Sequence, residues 1–310
     1  GASGFIGKNF VLMAPRDWEI TATFFKTVDF PKFLQLNLLN NVKPHKVNLI
    51  DDAEVKDLAK KTGGLFDAIL FLAANSNPSY SLDNPLFDLN SNICSLINIL
   101  ERFRCKRFIY LSSGAVYDGL QGLVSPDSNL SPTLPYAISK MASEKYVKFY
   151  SIRRKTIEEY VILRFFGAYG PYESPRKIYT RLINSFYFNN NDELIIYGDG
   201  KNYIDAMYVE DAINGILKVL LSKEKNITVD FGCGEPITLK ELVLRVGKFF
   251  GKEIKINFKG EAAEYITWYM SKDQMSRRFG FTPRISLEEG LSKFVKYLDN
   301  KRLEERKLEK

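Results

Sequence analysis

The feature that most limits what this chain can fold into is a rhythm. Trp18–Phe25 is rich in β-branched and aromatic residues and reads as a strand, and His45–Ile50 is the next strand candidate. Asp51–Lys61 carries Val55, Leu58 and Ala59 at helical spacing and stops at Gly63-Gly64. Asp67–Ala73 is a run of mostly apolar residues, the pattern of a strand covered on both faces. Pro85–Phe103 places Leu89, Ile93, Leu96, Ile97 and Leu100 at helical spacing. Phe108–Leu111, Pro135–Tyr150 and Tyr160–Phe165 continue as strand, helix and strand. Strict alternation of this kind predicts an α/β fold: a doubly wound parallel sheet with helices on both faces.

After Phe166 the rhythm changes. Gly167–Tyr172 is turn-rich, Pro175–Phe188 reads as a helix, and Leu194–Tyr197 is a short strand before Gly198-Asp199-Gly200. Tyr208–Leu221 returns to strand-then-helix, and Ile227–Phe231 is a last buried strand. A helix is expected over Thr238–Phe250, a strand over Ile254–Phe258, and helices after Ser271 and Ser286; the charged tail Lys301–Lys310 reads as a frayed helix end. The expected division is one unit over 1–166, to which 208–231 returns, and a smaller C-terminal α/β unit from 167–207 and 232–310. A chain of 310 residues has room for both.

Composition narrows the function classes. No apolar run is long enough for a membrane helix. The 3 cysteines, Cys94, Cys105 and Cys233, fit neither a disulfide framework nor a zinc spacing, which points to a reducing, cytoplasmic compartment. A single histidine, His45, argues against a histidine metal site, and no metal is expected. The net charge of +7 comes from Lys and Arg scattered among acids, without an aromatic-interleaved basic patch. That favours a solvated surface with some attraction for phosphorylated ligands over nucleic-acid binding.

Two stretches carry chemistry. The first is Gly1-Ala2-Ser3-Gly4-Phe5-Ile6-Gly7, after which Phe5–Met13 reads as a helix closed by Pro15. Glycine lets the backbone approach a pyrophosphate with no Cβ in the way, and the helix N-terminus offers its N–H groups to the phosphates. A strand is expected before Gly1, so the natural chain is expected to extend further. The acid that usually meets the ribose is missing at the end of the next strand, where Lys26 follows Phe25. Lys26 could favour a 2′-phosphate, so NADP stands beside NAD; a solvated Lys26 is equally compatible.

The second stretch is Ser112-Ser113-Gly114-Ala115-Val116-Tyr117 at a strand end, with Tyr136-x-x-x-Lys140 at a helix start. A tyrosine of ordinary pKa, about 10, is a poor base at neutral pH. A lysine at i+4 shares its helical face and stabilises the phenolate, and a serine hydroxyl can hold the substrate oxygen while the proton leaves. Tyr197–Lys201 and Tyr297–Lys301 share the spacing, but the first runs into Gly-Asp-Gly and the second lies near the charged C-terminus. Only Tyr136 follows a serine-bearing strand end.

In this order the motifs are specific. They are Gly1-x-x-Gly4-Phe5-Ile6-Gly7, Leu72-Ala73-Ala74, Asn84-Pro85 with Asn92, Ser112-Ser113-Gly114-Ala115-Val116-Tyr117 and Tyr136-x-x-x-Lys140. They continue with Leu163-Arg164-Phe165-Phe166 and Tyr169-Gly170-Pro171, Gly198-Asp199-Gly200 and Tyr208-Val209-x-Asp211. Along nearly its whole length the chain resembles the extended short-chain dehydrogenase/reductase family, the NAD-dependent sugar epimerase/dehydratase group. The resemblance implies a Rossmann domain with a smaller substrate domain, NAD as cofactor and a nucleotide sugar as substrate. It implies Tyr136 as base, Lys140 on the nicotinamide ribose and Ser113 as the catalytic hydroxyl. Cofactor contacts are expected from Gly1, Ser3, Gly4, Phe5, Ile6, Gly7, Lys26, Asn48, Leu49, Leu72, Ala73, Ala74 and Asn92. Substrate contacts are expected from Ser113, Gly114, Tyr136 and Gly167. Homodimers would form through the helices at 85–103 and 135–150.

There are departures. Family members often carry Asn at the place of Gly167 and Arg at the place of Ile204, both near the substrate diphosphate. The later Arg is not evident around Glu261–Glu264, and Asn48 stands where an Asp usually meets the adenine. Arg176, Lys177 and Arg181 are candidates for a replacement anion site. Dehydratases of the group tend to carry acids directly after the catalytic hydroxyl, whereas Gly114 and Ala115 cannot move a proton. Simple hydride transfer remains: epimerisation at C4 through a keto-sugar, or release of that keto-sugar as in a dehydrogenase or reductase. A non-catalytic dinucleotide sensor is the rival class, and an intact Ser113, Tyr136 and Lys140 argues against it.

Overall fold

The computed structural model of the chain describes residues 1–262 and 266–308. Its main sheet has four parallel strands in the order Ile227–Phe231, Ile157–Phe165, Arg104–Ser113, Leu65–Phe71. A parallel pair, Ile20–Phe24 with Val42–Lys46, forms a second sheet. Successive side chains of a strand point to opposite faces, and here the two faces feed two different cores. Ile109, Val161, Leu163, Val229 and Phe231 pack with Phe10 and Val11 of helix Phe5–Met13 and with Ala212, Ile213 and Ile216 of helix Val209–Leu221. Phe108, Tyr110, Tyr160 and Ile162 pack with Val55 and Leu58, with Leu96 and Leu100, and with Val147 of helix Pro135–Phe149. The expected doubly wound sheet is thus present.

Several elements differ from their sequence reading. Asp67–Ala73 was expected to be covered on both faces, yet Leu65, Asp67 and Ala68 are exposed. The strand, which runs Leu65–Phe71, is the last of the main sheet and borders a cleft of about 840 Å³ whose other wall includes Ile20–Thr23. The strand expected over His45–Ile50 is Val42–Lys46. Pro44 is tolerated there because this strand pairs on one side only, with Ala22 opposite Pro44. The chain then leaves the ladder: the Asn48 side chain accepts from the Ile50 N–H at 3.2 Å, and Asp51 caps helix Asp52–Thr62 through the N–H groups of Ala53 and Glu54.

The helix expected over Pro85–Phe103 is broken into Pro85–Leu89, a π-helical turn Asn90–Cys94, and Ser95–Arg102. The helix expected over Pro175–Phe188 starts at Ile178, with Lys177 as an extended N-cap, and passes into a second π-helical turn at Asn184–Phe188.

A third core lies under the C-terminal part. It gathers Tyr169, Leu182, Phe186, Val243 and Phe294 from five elements, with the Tyr169 and Tyr179 rings stacked at 4.0 Å. Helix Leu287–Leu308 runs without a break at Lys301, and Glu309 and Lys310 lie outside the described residues. Strand Trp268–Met270 pairs in parallel with Gly122–Val124 and so reaches back over the end of the main sheet. No helix among the described residues is long and apolar enough to cross a membrane.

Candidate active site

One large cleft, about 1550 Å³, runs along the C-terminal ends of the parallel strands, the usual place for a ligand in such a sheet. Its floor begins at the glycine turn. A Cβ on Gly1 would come within 2.6 Å of the Ala73 nitrogen, and one on Gly7 within 2.4 Å of the Gly1 carbonyl oxygen. Both obstacles are backbone, so glycine is required at both places. The helix that follows, Phe5–Met13, has Gly4 as N-cap and no side-chain cap. Its first N–H groups are therefore available to a phosphate. The turn fits a dinucleotide: the close backbone packing leaves a cradle that any side chain would fill.

Ser3, Phe5, Ile6, Lys26, Asn48, Leu49, Leu72, Ala73 and Ala74 line the same cleft. The Lys26 ammonium lies 5.7 Å from the ring centre of Phe87. Asn92 does not line the cleft. It is 1% exposed and holds the wall from behind, its Oδ1 accepting from the Asn75 N–H at 2.7 Å. Asn75, which Asn92 holds, does face the cleft. Asn75 follows directly on the Ala73-Ala74 pair, a signal the sequence reading passed over.

Ser113 ends strand Arg104–Ser113, where its Oγ accepts from the Ala115 N–H at 3.1 Å and caps a 3-10 turn over Gly114–Tyr117. Tyr136 is the second residue of helix Pro135–Phe149, anchored by its backbone N–H to Ser81 Oγ at 3.1 Å. Lys140, one turn on, is 4% exposed. Its Nζ donates to the Leu111 carbonyl at 2.7 Å and lies 4.7 Å from the Tyr110 ring centre. Burial lowers its pKa from 10.5 to about 8, against the fields of Glu144 and Asp88, which raise it. Ser113, Tyr136 and Lys140 all line the cleft that starts at the glycine turn.

Behind this wall runs a buried polar chain. Glu144 receives Arg164 through Nε at 3.0 Å and Nη2 at 2.9 Å, and Ser112 Oγ at 2.7 Å. Arg164 Nη1 also donates to Tyr117 Oη, which donates to Asp230. The chain ties helix Pro135–Phe149 to Ser112, the last but one residue of the serine strand.

The far side of the cleft holds Gly114, Gly167, Arg176 and Lys177. A Cβ on Gly114 would press the Phe166 ring at 3.2 Å, and one on Gly167 would come within 2.9 Å of the Asp205 carbonyl oxygen. An Asn at 167 would therefore need the 205–206 backbone to shift. Arg181 does not join Arg176 and Lys177: it is exposed on helix Ile178–Ile183 and does not line the cleft. Instead Glu173 is there, unforeseen. It accepts from Thr180 Oγ1 at 2.7 Å, and burial pushes its carboxyl up to about 7. Of the Glu261–Glu264 stretch, residues 263 and 264 lie outside the described residues.

Fold and cleft together define an α/β protein of the dinucleotide-binding Rossmann type. The chain belongs to the NAD dependent epimerase/dehydratase family, which matches residues 1–232. It is 30% identical over 276 residues to a putative UDP-glucose 4-epimerase of Methanocaldococcus jannaschii, covering 84% of this chain and 87% of that protein. It is 29% identical over 311 residues to an uncharacterised UDP-glucose epimerase of Bacillus subtilis, covering 97% and 96%. Among solved structures, the UDP-glucose 4-epimerase of Thermotoga maritima with UDP-glucose superposes with a TM-score of 0.85 at 22% identity, covering 97% of each chain. The UDP-glucuronic acid 4-epimerase of Bacillus cereus, in complex with UDP-glucuronic acid and NAD, gives a TM-score of 0.84 at 24% identity over 97% of this chain and 98% of that one. These two likenesses are of fold.

Proposed function

We propose that the protein is an NAD-dependent nucleotide-sugar 4-epimerase. The observation that carries this reading is one wall of one cleft: Ser113, Tyr136 and Lys140 face the space that opens at Gly1–Gly7, and the two residues directly after the serine are not acids. Membership of the family and the 30% identical relative support it. NAD, when bound, supplies a hydride acceptor and donor.

The protein's own groups do the rest. Tyr136 takes the proton of the C4 hydroxyl. The Lys140 ammonium, one helical turn away, favours the phenolate and reaches the cofactor ribose. Ser113 Oγ already accepts from the Ala115 N–H, so its own hydrogen is available to the sugar oxygen. After oxidation the keto-sugar turns within the cleft and is reduced from the opposite face, and Tyr136 returns the proton. Gly114 and Ala115 offer no group that could eliminate water from the neighbouring carbons. Arg176 and Lys177 receive the diphosphate, with Glu173 between them and the helix Ile178–Ile183. Lys26 stands where a ribose acid would select NAD, and supplying NADP in place of NAD tests whether it accepts a 2′-phosphate.

The 167–207 and 232–310 segments form the substrate-binding part of the molecule. Exposed Leu86, Phe87, Leu89, Ile138, Tyr146 and Phe149 on the helices at 85–102 and 135–149 suit a homodimer contact. Three free thiols suit a reducing, cytoplasmic compartment. The test is a panel of nucleotide sugars followed by proton NMR: an epimer inverted at C4 should accumulate without net change in nicotinamide absorbance. A stoichiometric rise in that absorbance with a released keto-sugar would instead establish a dehydrogenase.

A further inference from the structure

A hexose and its glycuronic acid differ at C6, a hydroxymethyl group in one and a carboxylate in the other. C6 hangs on C5, the ring carbon next to C4, so it lies beside whatever holds the C4 oxygen, in either orientation of the ring. Ser113 is followed by Gly114 and Ala115, and the turn they form with Val116 and Tyr117 rests on a small core of Val116, Tyr117, Val124 and Trp268. Leu120, Phe166 and Ile266 pack against that core and, with Trp268, line the cleft. The Phe166 ring closes on Gly114, where a Cβ would meet it at 3.2 Å, and Gly167, next in the chain, brings no side chain. The wall beside the serine is therefore apolar.

The charges of the cleft point the same way. Among the described residues its cationic side chains are Lys26, Lys140, Arg176 and Lys177. Lys26 lies at the cofactor ribose end, over Phe87. Lys140 Nζ donates to the Leu111 carbonyl and serves Tyr136 in the reading given above, where Arg176 and Lys177 take the diphosphate. On the sugar side stand two acids. Asp118 directly follows the serine turn and accepts from the N–H groups of Thr133 and Leu134 at 2.8 and 3.1 Å. Asp205, whose carbonyl abuts Gly167, accepts from the N–H groups of Cys233 and Gly234 at 2.7 and 2.9 Å. A carboxylate at C6 would thus meet apolar side chains and like charge. Taking an ion out of water with no partner is strongly unfavourable, whereas a hydroxymethyl or methyl group carries no such cost. We propose that the site selects a nucleotide hexose that is uncharged at C6 and rejects the corresponding glycuronic acid. This rests on the 4-epimerase reading and narrows its substrate.

The test is kcat/KM of the holoenzyme for 4-epimerisation of UDP-glucose, UDP-glucuronic acid and UDP-glucuronamide, read by proton NMR. The amide has nearly the shape of the carboxylate without its charge. UDP-glucose and the amide should lie within about tenfold of each other, and the uronic acid at least about 100-fold below UDP-glucose. A uronic acid less than about 100-fold below UDP-glucose overturns the proposal and leaves 4-epimerisation standing. An amide more than about tenfold below UDP-glucose also overturns it, because size and not charge would then decide. If none of the three is epimerised, in the UDP or the dTDP series, the 4-epimerase reading itself fails and the proposal with it.

Discussion

At pH 7 a buried ammonium whose pKa has fallen from 10.5 to about 8 costs the apoprotein about 3 kcal/mol. The unfolded chain holds the Lys140 proton up to higher pH than the folded one. The cost is therefore full below pH 8 and fades as pH rises from 8 towards 10.5, so this residue makes the apoprotein more stable across that window. Lys140→Met should raise the melting temperature of the apoprotein at pH 7 by several degrees while removing at least about 99% of turnover. An unchanged or lower melting temperature would show that burial is not what sets the Lys140 pKa. The residues that could be read directly from the sequence are those whose neighbours are local. Gly7 meets the backbone of Gly1 and Ala2 within its own turn, and Tyr136 and Lys140 share a helical face by spacing alone. Asn92 and Arg181 could not be placed that way. Where each points depends on a π-helical turn in one case and on a helix starting three residues late in the other, and neither leaves a clear mark in composition.

Elements meet at the site through buried polar contacts rather than through apolar packing alone. Glu144 and Arg164 are 2% and 4% exposed, and their pairing fixes the helix Pro135–Phe149 against the strands that end in Ser113 and Phe165. Glu144→Ala leaves a buried guanidinium without its partner and should destabilise the fold by about 3–5 kcal/mol in a denaturant titration. A loss below about 1 kcal/mol would mean that solvent reaches Arg164. Glu173 gives the cleft its own pH dependence. Its carboxyl, raised to about 7 by burial, is neutral below that pH and anionic above it, next to Arg176 and Lys177. KM for a nucleotide sugar should rise as pH passes upward through 7, and Glu173→Gln should flatten that rise. The main strands and the glycine-led helix were legible because their apolar periods repeat over many residues. The two-residue strands, such as Tyr203–Ile204 against Ile237–Thr238, were not, since they are formed by tertiary contact and carry no period of their own.

For the molecule as a whole, two cores on opposite faces of one sheet and a third under the C-terminal helices leave an apolar face on the helices at 85–102 and 135–149. Sedimentation should give twice the chain mass, and a Leu86→Asp, Phe149→Glu double variant should sediment as the single chain. That helix pair also carries Tyr136 and Lys140, so the monomeric variant should lose activity together with its partner. The central claim is that a hydride leaves the sugar and comes back to the same carbon while Tyr136 handles only the proton. A nucleotide hexose carrying deuterium at C4, incubated with the holoenzyme in ordinary water, tests it most directly. Direct hydride return predicts that the C4 epimer keeps its deuterium and that Tyr136→Phe forms it at least about 100-fold more slowly. An epimer whose C4 label has been replaced by solvent hydrogen, or undiminished turnover by Tyr136→Phe, would contradict it.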